Sequence, residues 1–103
     1  MDIEIFKKYC REGKILWANH ALERLQERDI TVDDVKNCIV NREIIEEYPD
    51  DFPHPSALIF GHDLNEKVIN VVCGIDEKFL YLITAYVPTT AKFFADLKTR
   101  RAK

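Results

Sequence analysis

The residues best suited to chemistry are His20, Arg24 and Arg28, which stand four positions apart in one short stretch. In an α-helix, residues at this spacing lie one above another, so the three side chains would form a single stripe. Two arginines that close repel each other mildly, by roughly 0.2–0.5 kcal/mol. The stripe therefore predicts a negatively charged partner, which is either another part of the chain or an external group.

Cleavage of RNA without a metal is a reaction that these residue types fit. It needs a base for the 2′-hydroxyl, cations for the developing phosphorane charge, and an acid for the leaving oxygen. Histidine can be acid or base near neutral pH, arginine can hold a phosphate through two N–H groups, and tyrosine can donate a proton or stack on a base. The predicted catalytic residues are His20, Arg24, Arg28 and Tyr86, and the predicted substrate-binding residues are Thr84, Lys98, Arg100 and Arg101.

The same side chains also have structural interpretations. His20 could hydrogen-bond a strand residue and fasten its helix to a sheet, and Tyr86 could simply pack at a strand end. Arg24 and Arg28 could form ion pairs with an acidic strip at positions 43–51, which contains five carboxylates and no cation. Such a strip is also typical of a solvated sheet edge that is protected from aggregation. These alternatives remain open at the level of sequence.

Hydrophobic periodicity predicts an α+β fold, because helical patterns come first and strand patterns follow. N-terminal helices should pack on one face of an antiparallel sheet of three to four strands. The predicted helices cover 2–11, 19–30 and 32–40, and the predicted strands cover 43–48, 56–60, 67–73 and 79–86. Residues 14–17 are interpreted as an apolar link. From Thr90 to Arg101 the pattern predicts a basic helical segment at the C-terminal end, with Phe93, Phe94 and Leu97 as its apolar face.

Length and composition favour one domain spanning residues 1–103. The net charge of −3 is not typical of a strongly basic nucleic-acid-binding protein. The three cysteines lack metal or redox spacing, which predicts buried free thiols in a reducing, cytoplasmic setting. The sequence contains no signal peptide and no apolar run near 18 residues, so neither export nor insertion into a membrane is predicted. Neither a metal nor another cofactor is predicted, and a metal site built from His20, His62 and Asp63 is the weakest alternative.

Three motifs in order resemble a known family. They are His20-Ala21 with Arg24, Arg28 and Asp29-Ile30; Ile83-Thr84-Ala85-Tyr86 with Pro88; and the ending Lys98-Thr-Arg-Arg101. Together they resemble the prokaryotic family called domain of unknown function 4258. Many members of that family have glycine where Asp29 stands, and aspartate tolerates the same left-handed backbone. The family is itself similar to RelE/ParE-type toxins, which have helices against an antiparallel sheet and of which several cleave RNA without a metal.

Two hypotheses follow. The first is a toxin-like, metal-independent endoribonuclease or RNA-binding module, and the resemblance implies RNA and a cognate antitoxin-like protein as its partners. The alternative is a non-catalytic protein-interaction module in which the stripe of His20, Arg24 and Arg28 is structural. A homodimer is compatible with both.

Overall fold

A five-stranded mixed sheet forms the frame of the protein in its computed structural model, which describes residues 1–41, 43–91, 93 and 95–99. The helices are α1 (Ile3–Arg11), α2 (Asn19–Glu27) and α3 (Val32–Asn41). The strands are β1 (Ile15–Trp17), β2 (Glu43–Tyr48), β3 (Ser56–His62), β4 (Val68–Ile75) and β5 (Leu80–Tyr86). Their order across the sheet is β1-β5-β4-β3-β2. Neighbouring strands are antiparallel except for β1, which runs parallel to β5.

The predicted antiparallel sheet of three to four strands is wrong in both strand number and strand direction. The strand that was not predicted is β1, which pairs with the start of β5 through Ile15 opposite Leu80. Three residues are too few to show the alternation that identifies a strand, and the partner of β1 is distant in sequence. The remaining helices and strands begin and end close to their predicted positions.

The predicted C-terminal helix is also not found at positions 90, 91, 93 and 95–99, where the structure describes the segment. The Asp96 carboxylate instead accepts hydrogen bonds from the backbone N–H groups of Lys98 and Thr99, both at 2.9 Å. Leu97 has a φ of 60°, which is left-handed. Bonds from a side chain to nearby backbone groups compete with helical bonds, so they hold this segment in turns. Positions 92, 94, 100 and 101 lie outside the described residues.

The helices pack on one face of the sheet. Cross-strand register places Ala57 opposite Cys73 and Ile59 opposite Val71, and all four side chains are completely buried. The helical residues of the same core include Phe6, Cys10, Ala21, Leu25, Val35, Cys38 and Ile39. Burial of Ala21 and Leu25 fixes the orientation of α2, because the residues beside them must then point away from the core. All three cysteines are buried free thiols, as predicted.

The opposite face of the sheet contacts the C-terminal stretch. The Lys98 ammonium lies 4.7 Å from the centre of the Phe60 ring, and Phe93, in the same stretch, is completely buried. The same ammonium forms an ion pair with Glu43 at 2.6 Å. Glu43 begins β2, which is an edge strand as the acidic strip predicted.

The connection between α2 and α3 depends on two aspartates. Asp29 has a φ of 55° and so adopts the left-handed backbone expected at that position. Asp34 is in the first turn of α3 and forms a reciprocal cap with Thr31: its carboxylate accepts the Thr31 N–H at 2.8 Å, and its own N–H donates to the Thr31 hydroxyl at 3.0 Å. The second carboxylate oxygen accepts the Leu64 N–H at 2.9 Å, which ties α3 to the turn between β3 and β4.

Replacing Asp34 by alanine should lower the free energy of unfolding by about 2 kcal/mol, because two N–H donors lose their acceptor. Burial opposes ionisation of this carboxyl, but hydrogen bonds from Leu64 and Thr31 outweigh it and hold the pKa of Asp34 below its ordinary value. The stabilisation is therefore present above the ordinary aspartate pKa and is lost as pH falls through the lower folded-state pKa.

Urea unfolding at neutral and at acidic pH measures both effects. Asp33→Ala is the matched control, since Asp33 is exposed in the same helical turn. It should change stability by no more than about 0.5 kcal/mol. Equal losses in the two variants would contradict the role given to Asp34.

Candidate nucleic-acid interface

An open groove of about 810 Å³ lies between α2 and the free edge of β5. It exists because β1 is short: the last pair of the parallel ladder joins Trp17 to Leu82, so β5 continues beyond its edge partner. The chain then enters α2, which packs alongside β5. The residues that line the groove are His20, Arg24, Arg28, Ile83, Thr84, Tyr86 and Val87.

The cationic wall of the groove comes from α2. His20 is in its first turn, Arg24 is one turn further along, and Arg28 is the residue that caps its C-terminal end. Four residues of helix span about 6 Å, so these side chains are distributed evenly along the groove. Because Ala21 and Leu25 are buried against the sheet, the neighbouring stripe is displayed at the edge of β5.

Arg28 is fixed in place by β5. Its Nη1 donates to the Thr84 hydroxyl at 2.9 Å and to the Ala85 carbonyl at 2.8 Å. A guanidinium carries five N–H groups, and the other three have no acceptor among the described residues. Arg28 therefore presents an oriented set of donors to the groove. Thr84, predicted to bind substrate, has a positioning contact with Arg28 in this structure.

Arg24 and His20 have no such anchor. Neither side chain makes an ion pair or a hydrogen bond with a described residue, and both residues are exposed. The fastening of helix to sheet that the sequence suggested for His20 is made by Arg28 instead. Arg24 is thus a cation in an open groove with no partner in the described part of the chain.

The alternative in which the two arginines form ion pairs with the acidic strip is not found among the residues that the structure describes. The strip begins in β2, at the sheet edge opposite β1, whereas α2 packs on β5. Neighbouring strands are about 4.8 Å apart, so three strand spacings separate the two regions by roughly 14 Å. The strip has other cationic partners: Glu43 pairs with Lys98, and Glu47 pairs with the N-terminal ammonium of Met1 at 2.7 Å.

The beginning of α2 adds to the positive potential. Ala18 is its N-cap residue and provides no side-chain hydrogen bond, and no acidic residue is present in the first turn. The first N–H groups of a helix carry a partial positive charge and attract anions when nothing caps them. This end of α2 lies beside His20, so the helix itself and the cationic stripe favour the same kind of ligand.

The structure brings five of the eight predicted site residues to one groove, namely His20, Arg24, Arg28, Thr84 and Tyr86. Lys98 is elsewhere, beside Glu43 and Phe60, and positions 100 and 101 lie outside the described residues. Sequence reasoning missed Ile83 and Val87, which are exposed apolar groove residues. Their signal was their position, since Ile83 is in the same strand as Tyr86 and Val87 directly follows that strand.

The structure does not bring together His20, His62 and Asp63, the residues of the alternative metal site. His62 and Asp63 line a different pocket, together with Asn37, and His20 is not part of it. Within the part of the chain that the structure describes, no three or more His, Cys, Asp or Glu side chains form a group that could hold a metal ion.

The fold and the groove define a small α+β protein that displays a cationic helical stripe beside the free edge of a mixed sheet. The chain belongs to the DUF4258 family (domain of unknown function), whose model matches residues 17–87. The match includes every residue that lines the groove and excludes the basic ending from Lys98. No curated protein and no solved structure matches the chain. The predicted similarity to RelE/ParE-type toxins therefore has no support from these comparisons.

Among residues 1–41, 43–91, 93 and 95–99, no helix is both long enough and apolar enough to cross a membrane.

Proposed function

We propose that the groove binds the phosphate backbone of RNA and that its residues cleave the RNA without a metal. The observation that carries this proposal is the arrangement of the two arginines. Arg24 is open and has no partner among the described residues, while Arg28 is held by β5 with three N–H groups still available. An unpaired cation beside an oriented one suits a bidentate anion such as a phosphodiester.

In the proposed reaction Arg24 and Arg28 hold the non-bridging phosphate oxygens. His20 takes the proton from the 2′-hydroxyl, whose oxygen then attacks phosphorus. Tyr86 donates a proton to the departing 5′-oxygen as the phosphorus–oxygen bond breaks, which leaves a cyclic phosphate and a free 5′-hydroxyl. The arginines stabilise the extra negative charge that develops on phosphorus during this step.

Replacing Arg24 by glutamine should weaken RNA binding about tenfold, because one phosphate contact is lost. For the same reason, the slope of the logarithm of the binding constant against the logarithm of the salt concentration should decrease by roughly one. Fluorescence anisotropy with a labelled single-stranded RNA, at several salt concentrations and with EDTA present, measures both quantities. Since Arg24 has no partner among the described residues, the free energy of unfolding should stay within about 0.5 kcal/mol of the wild type.

Arg11→Gln is the matched control. Arg11 is an exposed arginine in the last turn of α1 and does not line the groove. It removes the same charge, so any effect of overall charge on RNA binding appears in both variants. Equal losses for Arg11 and Arg24 would refute a specific phosphate site in the groove.

One observation favours a second candidate, the protein-interaction module. Ile83 and Val87 are 45% and 37% exposed and lie among the cationic residues. Apolar surface interrupted by cations suits an acidic protein partner of the antitoxin type. In that case Arg24→Gln leaves RNA binding unchanged, and the same groove variants weaken binding to the partner protein.

A further inference from the structure

A second, smaller pocket adjoins the groove and shares a residue with it. Its volume is about 360 Å³, and the residues that form most of its wall are Asp51, Phe52, Pro53, His54, Tyr81 and Ile83. Ile83 also lines the groove, so the two cavities share this residue. A ligand that occupies the groove and extends past Ile83 therefore enters this pocket.

Three aromatic rings distinguish the pocket from the groove. The rings of His54 and Tyr81 are stacked, with centroids 4.5 Å apart and an angle of 8° between their planes. Phe52 is 96% exposed, more than any other large apolar side chain in the described part of the chain. Flat aromatic surface of this kind binds nucleobases by stacking, with little dependence on sequence.

The loop that carries Phe52 is tied to the sheet on both sides. The Asp51 N–H donates to the Tyr48 carbonyl at 3.2 Å, and the Ser56 hydroxyl donates to the Asp51 carboxylate. The Ile75 N–H donates to the Pro55 carbonyl at 2.9 Å. Because these bonds fix the loop before any ligand arrives, binding at Phe52 requires little additional ordering.

The charges of the two cavities are complementary to different parts of a nucleotide. The groove holds two arginines and a histidine, whereas the pocket holds Asp51 and lies beside Asp76, whose carboxylate accepts a hydrogen bond from the Tyr81 hydroxyl. Carboxylates repel a phosphate and do not repel an uncharged base. A phosphate is therefore favoured in the groove, and a base is favoured in the pocket.

We propose that the pocket of Phe52, His54 and Tyr81 binds one base of the single-stranded RNA whose phosphate lies in the groove. This rests on the proposed function of the groove and specifies its substrate as single-stranded, because a base in a duplex has no free face to offer. Ile83 is the boundary between the two subsites. Phe52 provides the stacking surface that is most open to solvent.

The test compares two labelled oligonucleotides of equal length: an RNA, and an abasic oligomer with the same sugar–phosphate backbone but no bases. Phe52→Ala should weaken binding of the RNA about tenfold and leave binding of the abasic oligomer unchanged. Phe52→Trp should bind both like the wild type, since it keeps an aromatic face. An RNA that contains 2-aminopurine gives a direct readout, because the fluorescence of this base changes when it leaves the stack of its neighbouring bases for Phe52, and Phe52→Ala removes that change.

Leu64→Ala is the matched control, because it removes another exposed apolar side chain from a turn outside both cavities. Unchanged RNA binding by Phe52→Ala, or equal weakening of RNA and abasic oligomer, overturns the base subsite. Arg24→Gln is measured in parallel and should weaken both ligands. If Arg24→Gln weakens RNA binding and Phe52→Ala does not, only the base subsite is refuted. If neither variant weakens RNA binding, the proposed function is refuted as well.

Discussion

Replacing His20 by glutamine should slow RNA cleavage by about 10²–10⁴-fold, the range typical for loss of a general acid or base. Glutamine keeps a polar side chain of similar length but cannot exchange a proton near neutral pH. His20 is exposed in the first turn of α2 and makes no hydrogen bond to a described residue, so the substitution leaves packing intact. RNA binding should change less than threefold, because the arginines and not His20 hold the phosphate. Single-turnover cleavage with EDTA present separates the rate from the affinity.

His62→Gln is the control for His20, since His62 lies in another pocket at the end of β3. It should cleave at the wild-type rate. A His20→Gln variant that binds and cleaves RNA like the wild type would contradict the proposed chemistry. A variant that loses binding and cleavage together would show that His20 holds the ligand and does not transfer a proton.

Replacing Gly61 by alanine should lower the free energy of unfolding by about 3 kcal/mol, near the upper end of what overpacking of a core usually costs. Gly61 is in β3 where α3 crosses it, and a Cβ there would lie 2.6 Å from the Cys38 sulfur and 3.0 Å from both the Cα and the carbonyl oxygen of Cys38. Two of these three atoms belong to the backbone of α3, so they cannot move without displacing the helix. Urea unfolding measures the loss.

Gly74→Ala is the matched control for this prediction. Gly74 is also a buried strand glycine, but the nearest atoms to an added Cβ are 3.7 Å away, which is ordinary van der Waals contact. Its substitution should cost less than about 1 kcal/mol. If both glycine variants lose the same stability, close approach of α3 to β3 is not the cause.

The helices and longer strands could be predicted because their signals are local. The apolar positions Ala21 and Leu25 recur at helical spacing, and the cap formed by Thr31 and Asp34 is a recognisable pair three residues apart. Local signals failed where the structure depends on distant partners. Strand β1 exists through its parallel pairing with β5, and nothing within Ile15–Trp17 indicates that partner.

The candidate groove shows the same division. The stripe of His20, Arg24 and Arg28 follows from helical periodicity. It lies beside Thr84 and Tyr86, so the first and second family motifs meet in the groove. Whether the acidic strip reaches the arginines could not be predicted without the strand order. Only that order places the strip at the far edge of the sheet. The contact between Arg28 and the Ala85 carbonyl depends on β1 ending early, which sequence spacing does not reveal. Phe52 gave no signal beyond an aromatic residue in a proline-rich loop.

The groove is tested most directly by an NMR titration of isotopically labelled protein with a short single-stranded RNA. The Nε–Hε signals of Arg24 and Arg28 and the ring signals of His20 should shift in proportion to bound RNA, while the signal of Arg11 should stay fixed. Shifts that spread equally over all exposed arginines, or that leave Arg24 unchanged at saturating RNA, would contradict a phosphate site between α2 and β5.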